Sequence, residues 1–341
     1  MNTFFCSDHS KQAGEDIIGS ASNHQTYILV ECPQPWLGET FNSKWVSENL
    51  RTLVEEVKQA KLPIRFLLIA NSVSHKADST TLLIYHRKDG LGNGYRKLEF
   101  KLKNIEQVAT VVRRWLKNGN SDEQVETKAS RDILICTHGS VDMCCARYGT
   151  PFYHQAANAV ANLGINNVRI WKSSHFGGHR FAPTAIDLPE GRYYGVLDAD
   201  SFNSILTRTG NITCLNKVYR GWGILSSELQ VLEREIMLQH GWDWFDYKVA
   251  ARIIEENLDN DTIQAELTLE KPDGELYTYQ ASLIKYDTKK LQIKGSCKAK
   301  QEYVFPKYAV ASLSSANQKL VVHENVTQAQ ILEDFSLRNK S

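Results

Sequence analysis

The sequence predicts an α/β protein in three parts: a small α/β domain over residues 1–117, a second α/β unit over 131–225, and a small α+β accessory domain over 226–341, with 118–130 as a linker. Three observations carry this reading. Strand and helix periodicities alternate over 25–116 and again over 132–207. Asn118–Ser130 is polar, lacks aromatics and holds one large apolar residue, Val125. Beyond about Trp222, helical stretches give way to a run of hairpin strands.

In order along the chain, Thr26–Glu31 reads as a strand, and Lys44–Gln59 sets Leu50, Leu53 and Val57 at a helical period. Arg65–Ala70 and Thr81–His86 are strands, Lys88-Asp-Gly-Leu is a turn, and Tyr95–Leu102 alternates as a half-buried strand. Ile105–Leu116 is a helix with Val108, Val112 and Trp115 on one face. In the second unit Asp132–Cys136 is a strand, and Thr150–Leu163 is a helix opened by Thr-Pro, a cap followed by proline at the first position. Asn167–Lys172 and Arg192–Leu197 follow as strands, then Ser201–Thr207 as a short helix with Asp198 and Asp200 at its N-cap. C-terminally, Leu225, Leu229, Leu232 and Ile236 mark one helix and Tyr247–Leu258 a second. Strands Thr262–Glu270, Leu276–Tyr286 and Leu291–Gly295 follow, with turns at Pro272-Asp-Gly and Asp287–Lys290. No internal repeat is visible.

Composition removes several function classes. Lys+Arg number 40 against 39 Asp+Glu, so there is no basic excess to neutralise phosphates and no nucleic-acid partner is expected. Apolar runs such as Phe66–Ala70 fall far short of the roughly 20 residues that cross a bilayer, so no membrane partner is expected either. The N-terminus has neither a secretory nor a transit pattern, which places the chain in the cytoplasm, where structural disulfides are rare. Of the seven cysteines, Cys6, Cys32, Cys214 and Cys297 are scattered and read as small buried hydrophobes. Cys136, Cys144 and Cys145 fall within ten residues of one another.

Two segments carry the chemistry: Cys136-Thr-His-Gly-Ser-Val-Asp-Met-Cys144-Cys145 and His175-Phe-Gly-Gly-His179. Each begins at the C-terminal end of a predicted strand, where the loops of α/β sheets converge into sites. Two glycines inside a helix cost roughly 2 kcal/mol, so the His pair belongs to a loop whose backbone curls and aims both imidazoles inward. Neither Cys136–Cys144 nor Cys136–Cys145 has zinc-knuckle spacing, and no C-x-x-C supports dithiol exchange. Consecutive side chains diverge, so one of Cys144 and Cys145 is a bystander to a Cys₂His₂ centre. Zinc and a 2Fe–2S cluster both accept that donor set.

At these residues the sequence resembles the sucrase/ferredoxin-like family, thioredoxin-like ferredoxins with a bis-histidine 2Fe–2S cluster. The family loop runs C-x-H-x-x-x-D-x-x-C, followed by H-x-G-G-H-x-F-A; this chain has CTHGSVDMCC from Cys136 and HFGGHRFA from His175. Aligning Cys136, His138 and Asp142 makes Cys145 the second ligand. Weaker similarity lies at Cys6–Gly19, Ile28–Trp36 and from Val218, so the resemblance spans about residues 1–235. It implies a thioredoxin-like ferredoxin domain over 131–225, with Cys136 and Cys145 on one iron and His175 and His179 on the other. The same fold is one option for the first unit. The arginines that fungal members carry in the cysteine loop are replaced by Val141, Met143 and Cys144, and Pro183 stands where fungal chains have glycine, which matches a bacterial branch.

The resemblance implies an electron-transfer or redox-sensing protein. Two neutral imidazoles in place of thiolates bring the cluster charge near zero, raise the potential above that of all-cysteine ferredoxins, and couple electron to proton. His138, Asp142, Cys144, Arg180, Ser173 and Ser174 are candidate supporting residues. No G-x-G-x-x-G is present, so the partners would be a separate reductase and an acceptor protein. The alternatives are a zinc-stabilised interaction module and a thiol oxidoreductase using Cys136 or the Cys144–Cys145 pair.

Overall fold

The structure, a computed structural model, describes residues 4–71, 79–118, 130–257, 259–285 and 291–316. Most of the proposed linker, the turn at 287–290 and the stretch from 317 to 341 lie outside the described residues. Nine strands form one sheet: β1 (Thr26–Glu31), β2 (Ile64–Ala70), β3 (Thr80–His86), β4 (Arg96–Leu102), β5 (Arg131–Cys136), β6 (Val168–Ser173), β7 (Ala185–Leu188), β8 (Arg192–Tyr194) and β9 (Tyr219–Trp222). Their order is β4-β3-β1-β2-β6-β5-β7-β8-β9. The first and second α/β parts therefore share a sheet. It is continuous where β2 meets β6 antiparallel, Ile69 opposite Ser173 and Ala70 opposite Lys172.

A short helix, α1 (Cys6–Gln12), precedes the sheet, and α2 (Glu48–Gln59), α3 (Glu106–Asn118), α4 (Met143–Asn162) and α5 (Ala199–Thr207) are among the helices that pack on it. The sequence shows no repeat, but the backbone path repeats. β1-α2-β2-β3-β4-α3 and β5-α4-β6-β7-β8-α5 trace the same route. In each half the first two strands are parallel, the third is antiparallel to the first and the fourth to the third.

Alternation along the strands makes two faces. On one, Ile28, Val30 and Leu68 pack under Leu50, Leu53 and Val57 of α2 and under Val112 of α3. Ile133 and Ile135 do the same under Phe152 and Ala156 of α4. The other face carries no helix and closes on itself around Leu29, Ile69, Leu83, Leu134 and Trp171. Tyr27 on β1 and Tyr193 on β8 are five strand steps apart, about 24 Å along a flat sheet at about 4.8 Å per step. Their hydroxyls nevertheless meet at 2.6 Å, so the sheet curls until its halves face each other. Asp132 sits in that fold, fully buried, accepting from Lys97 Nζ (2.5 Å), Arg169 Nε (2.7 Å), Trp171 Nε1 (2.7 Å) and the Tyr85 hydroxyl.

A short helix, α6 (Leu215–Val218), leads into β9, and the C-terminal part supplies α7 (Ser227–His240) and a separate antiparallel sheet of β10 (Lys248–Asn257), β11 (Thr262–Glu270), β12 (Leu276–Lys285) and β15 (Tyr308–Ala316). Leu232 and Ile236 of α7 bury against Leu267, Leu269 and Leu283 in the same core as α4. A two-stranded ribbon, β13 (Gln292–Ile293) and β14 (Tyr303–Val304), lies between β12 and β15.

Four expectations need correction. Tyr247–Leu258 is not a helix: Lys248–Asn257 is the strand β10, because Val249, Ile253 and Ile254 are β-branched and a ladder to β11 supplies partners that local period cannot reveal. The helix expected to open at Thr150 begins at Met143, capped by Asp142, and Pro151 lies inside it. Arg192–Leu197 and Leu291–Gly295 shrink to three- and two-residue strands. The helix expected over Ser201–Thr207 keeps the expected Asp198 cap, through a capping box with Ser201, and begins two residues earlier at Ala199.

Candidate metal centre

β5 and β6 are parallel neighbours with Cys136 opposite Ser173, so the loops leaving their C-terminal ends face each other. The first loop turns at once into α4, whose N-cap Asp142 accepts from the Cys144 amide at 2.9 Å. This start puts Cys144 and Cys145 in the first turn, where successive side chains diverge. Cys145 joins Cys136, and Cys144 points elsewhere.

The second loop needs its glycines. Gly177 and Gly178 have φ of 95° and 77°. The Gly178 Cα also lies against the Arg220 guanidinium, which a Cβ would meet at 2.5 Å. Arg220 is buried and donates to Gly177 O (3.2 Å), Ser20 O (2.6 Å) and Ser20 Oγ (3.1 Å), so it props the curl from beneath.

The result is a cluster of donors. His175 Nδ1 lies 3.7 Å from Cys136 Sγ and 3.6 Å from Cys145 Sγ, and the ligand atoms of all three residues lie within 4.8 Å of one another. His179 stacks on His175 at 5.0 Å between ring centroids, its Nδ1 3.3 Å from His175 Nε2. His179 Nε2 reaches Gly295 O at 2.7 Å. A carbonyl only accepts, so Nε2 carries the proton and Nδ1 keeps its lone pair for a ligand. Both thiols are buried and both imidazoles half-buried. Burial opposes ionisation of Cys136, but hydrogen bonds from Cys145 and His175 outweigh it and hold its thiol well below the ordinary value. Cys145 moves the other way, pushed up first by its bond to Cys136 and then by burial. Burial also keeps His179 and His138 more readily neutral.

The expected supporting residues have distinct roles. His138 Nε2 donates to Leu37 O (2.8 Å) and Nδ1 accepts from the His175 amide (3.2 Å), which fixes the His175 backbone. Ser174 Oγ accepts from Leu68 N–H at 3.0 Å, extending the β2–β6 junction into the loop, and Ser173 Oγ donates to Ser174 O. Arg180 turns from the imidazoles to Glu15 (3.0 Å) and the Phe305 ring.

Two features escaped sequence reasoning. Gly295, which touches His179, comes from the C-terminal part. Cys144, read as a bystander, meets two cysteines read as incidental. Cys6, Asp142, Cys144 and Cys297 form a second group whose ligand atoms lie within 4.8 Å of one another. Its sulfurs are 3.3 Å (Cys144–Cys297), 3.6 Å (Cys6–Cys144) and 3.7 Å (Cys6–Cys297) apart. No local motif marks it, since Cys6 and Cys297 stand 291 residues apart.

Both groups could hold a metal ion. For the first, two thiols and the His175 imidazole converge, while His179, its Nδ1 facing His175 Nε2, stands outside the group; zinc and a 2Fe–2S core both accept thiolate and imidazole donors. The contacts of 3.6 and 3.7 Å match the roughly 3.6 Å between sulfur and nitrogen on one tetrahedral zinc. A two-iron core would need the imidazoles farther from the sulfurs than these contacts.

No helix among the described residues is long and apolar enough to cross a membrane. The model of a family described as sucrase/ferredoxin-like matches residues 17–221. No curated protein and no solved structure matches the chain.

Proposed function

The chain belongs to the sucrase/ferredoxin-like family, and from that premise we propose that it carries a 2Fe–2S cluster on Cys136, Cys145, His175 and His179 and serves as a one-electron carrier or redox sensor. The repeated βαβββα path, with strand order second-first-third-fourth in each half, supports a thioredoxin-like reading of both halves. The altered cysteine loop favours a bacterial-type member. The observation that carries the proposal is the meeting of Cys136, Cys145 and His175, with His179 stacked behind.

When bound, the cluster supplies a one-electron couple whose potential is raised by neutral imidazole ligands. The chain's residues set the conditions for that couple. Cys136 at the end of β5 and Cys145 in the first turn of α4 are both buried, which excludes water from the thiolate side. His175 and His179 lie toward solvent, and His175 borders an open groove lined by Glu39, Phe41, Lys58, Arg65 and Ser174. Arg65 donates to His175 O at 2.7 Å and anchors this rim. A reductase or acceptor docked in the groove would approach the imidazole edge. Gly295 O holds the His179 proton at Nε2, the atom from which it would leave.

The test is aerobic purification of the full chain. Red-brown protein with about two irons and two sulfides, and a reduced-state electron paramagnetic resonance signal, supports the proposal. Colourless protein holding zinc on two sulfurs and nitrogen sinks it and supports the second reading, a zinc-stabilised module, which the sulfur–nitrogen spacing favours. A Cys144–Cys145 redox pair gains nothing from the geometry, since the two sulfurs belong to different clusters.

A further inference from the structure

We propose that Cys6, Asp142, Cys144 and Cys297 form a second, structural metal site for a single thiophilic divalent cation of the zinc type. This inference is independent of the cluster proposed above and shares no ligand with it.

Spacing selects the kind of occupant. A zinc ion with sulfurs at about 2.3 Å in a tetrahedron holds them about 3.8 Å apart. The three sulfur separations here are 3.3, 3.6 and 3.7 Å, and Asp142 Oδ1 stands 3.8 Å from Cys6 Sγ. Four donors at mutual contact enclose a single ion. Thiolates on different irons of a multinuclear cluster would be held apart by the core. Three sulfurs also cannot all pair as disulfides, so oxidation leaves one over.

The surroundings suit thiolates. Cys6, Cys144 and Asp142 are buried. Backbone amides point at the acceptors: Ser7 N at Cys144 Sγ (3.4 Å), Cys6 N at Cys297 Sγ (3.5 Å), and the Cys144 and Cys297 amides at the two Asp142 oxygens, each at 2.9 Å. Such donors compensate the negative charge that three thiolates and a carboxylate leave on a bound dication. Binding would release the three thiol protons.

The ligands come from three remote stretches: α1, the first turn of α4, and the Gly295–Cys297 segment after β13. The ion would pin the C-terminal part to the ferredoxin half two residues from the carbonyl that holds His179. It is a staple between parts of the chain and takes no part in electron transfer.

The test counts zinc and iron together in the full chain and reads the zinc environment by X-ray absorption. The expected result is about one zinc per chain with three sulfurs and one light atom. His175→Ala should leave that zinc in place, and Cys297→Ser should lower it roughly tenfold. The proposal is overturned by zinc on two sulfurs, by zinc lost with His175→Ala and kept with Cys297→Ser, by protein free of zinc after purification from zinc-supplied cells, or by a Cys144–Cys297 disulfide in native mass spectra. The absorption measurement on the unaltered chain decides the matter even if Cys297→Ser fails to fold.

Discussion

Replacing Gly178 by alanine tests how the imidazole loop is held. Two costs add. At φ +77° an L-residue pays roughly 1–2 kcal/mol for left-handed backbone. The new Cβ would stand 2.5 Å from Arg220 Cζ and 2.6 Å from both terminal nitrogens, closer than contact allows. An exposed guanidinium would swing away, but this one is buried and tied to Ser20 and Gly177. Moving it breaks at least one charged hydrogen bond, a further roughly 1.5–3 kcal/mol. The sum is roughly 2.5–5 kcal/mol, read as a lower urea midpoint. Gly164→Ala is the control: φ is +64° with nothing within 4 Å of its Cβ, so only the backbone part applies. The expected outcome is that Gly178→Ala exceeds Gly164→Ala by the hydrogen-bond part and also shifts the visible spectrum of the holoprotein. Equal losses in the two variants would refute the role assigned to Arg220.

Asp132→Asn takes from buried Lys97 the nearer of its two carboxylate partners, leaving Glu99 at 3.5 Å, and should cost about 3 kcal/mol in urea unfolding, the low end for a broken buried pair. Burial opposes the Asp132 charge, but Arg169 and Lys97 hold its carboxyl below the usual range. Its stabilisation is therefore complete above the unfolded value of about 3.9 and drains away as pH falls below it; an acid-unfolding curve of Asp132→Asn should lack that loss, and an unchanged curve argues against the network. With the proposed cluster bound, His138→Ala, which removes the acceptor for the His175 amide, should speed chelator-driven iron loss roughly ten- to a hundredfold, with His138→Asn restoring part of the retention. The midpoint potential of the proposed cluster should fall by about 59 mV per pH unit once an imidazole of its oxidised form begins to titrate; a flat line from about pH 6 to 10 removes the proton from the scheme.

Elements whose partners are local could be read directly. The apolar stripes of α2 and α3, the strands β1 to β3 and the Asp198 cap stand in the sequence because 3.6- and 2-residue periods encode them. Gly177 and Gly178 marked the curl for the same reason: the backbone demand is local. What could not be read depends on distance. β10 has a helical period and becomes a strand through a ladder to β11. α4 looks as if it opens at Thr150-Pro151, yet the Asp142 cap eight residues earlier decides. Cys6 and Cys297 look incidental until the C-terminal part folds back, and Gly295 has no side chain to advertise its place beside His179. The order of the sheet was equally silent, because β2 meets β6 through only two paired positions.

That junction joins two halves of one design head to head, which makes the chain a covalent counterpart of a symmetric dimer. In a true homodimer both copies of a loop must do the same job. Here they need not. The position matching Cys136 at the end of β1 is Glu31, whose carboxylate accepts from the Thr81 amide, so the first half has no thiol there to offer. Its loop serves the other half instead: Leu37 O receives His138, Trp36 O receives Ser140 Oγ, and Gln34 Nε2 donates to Thr137. Of two equivalent positions in the repeated path, one carries the site and the other its scaffold, a division of labour that an assembly of identical subunits cannot reach.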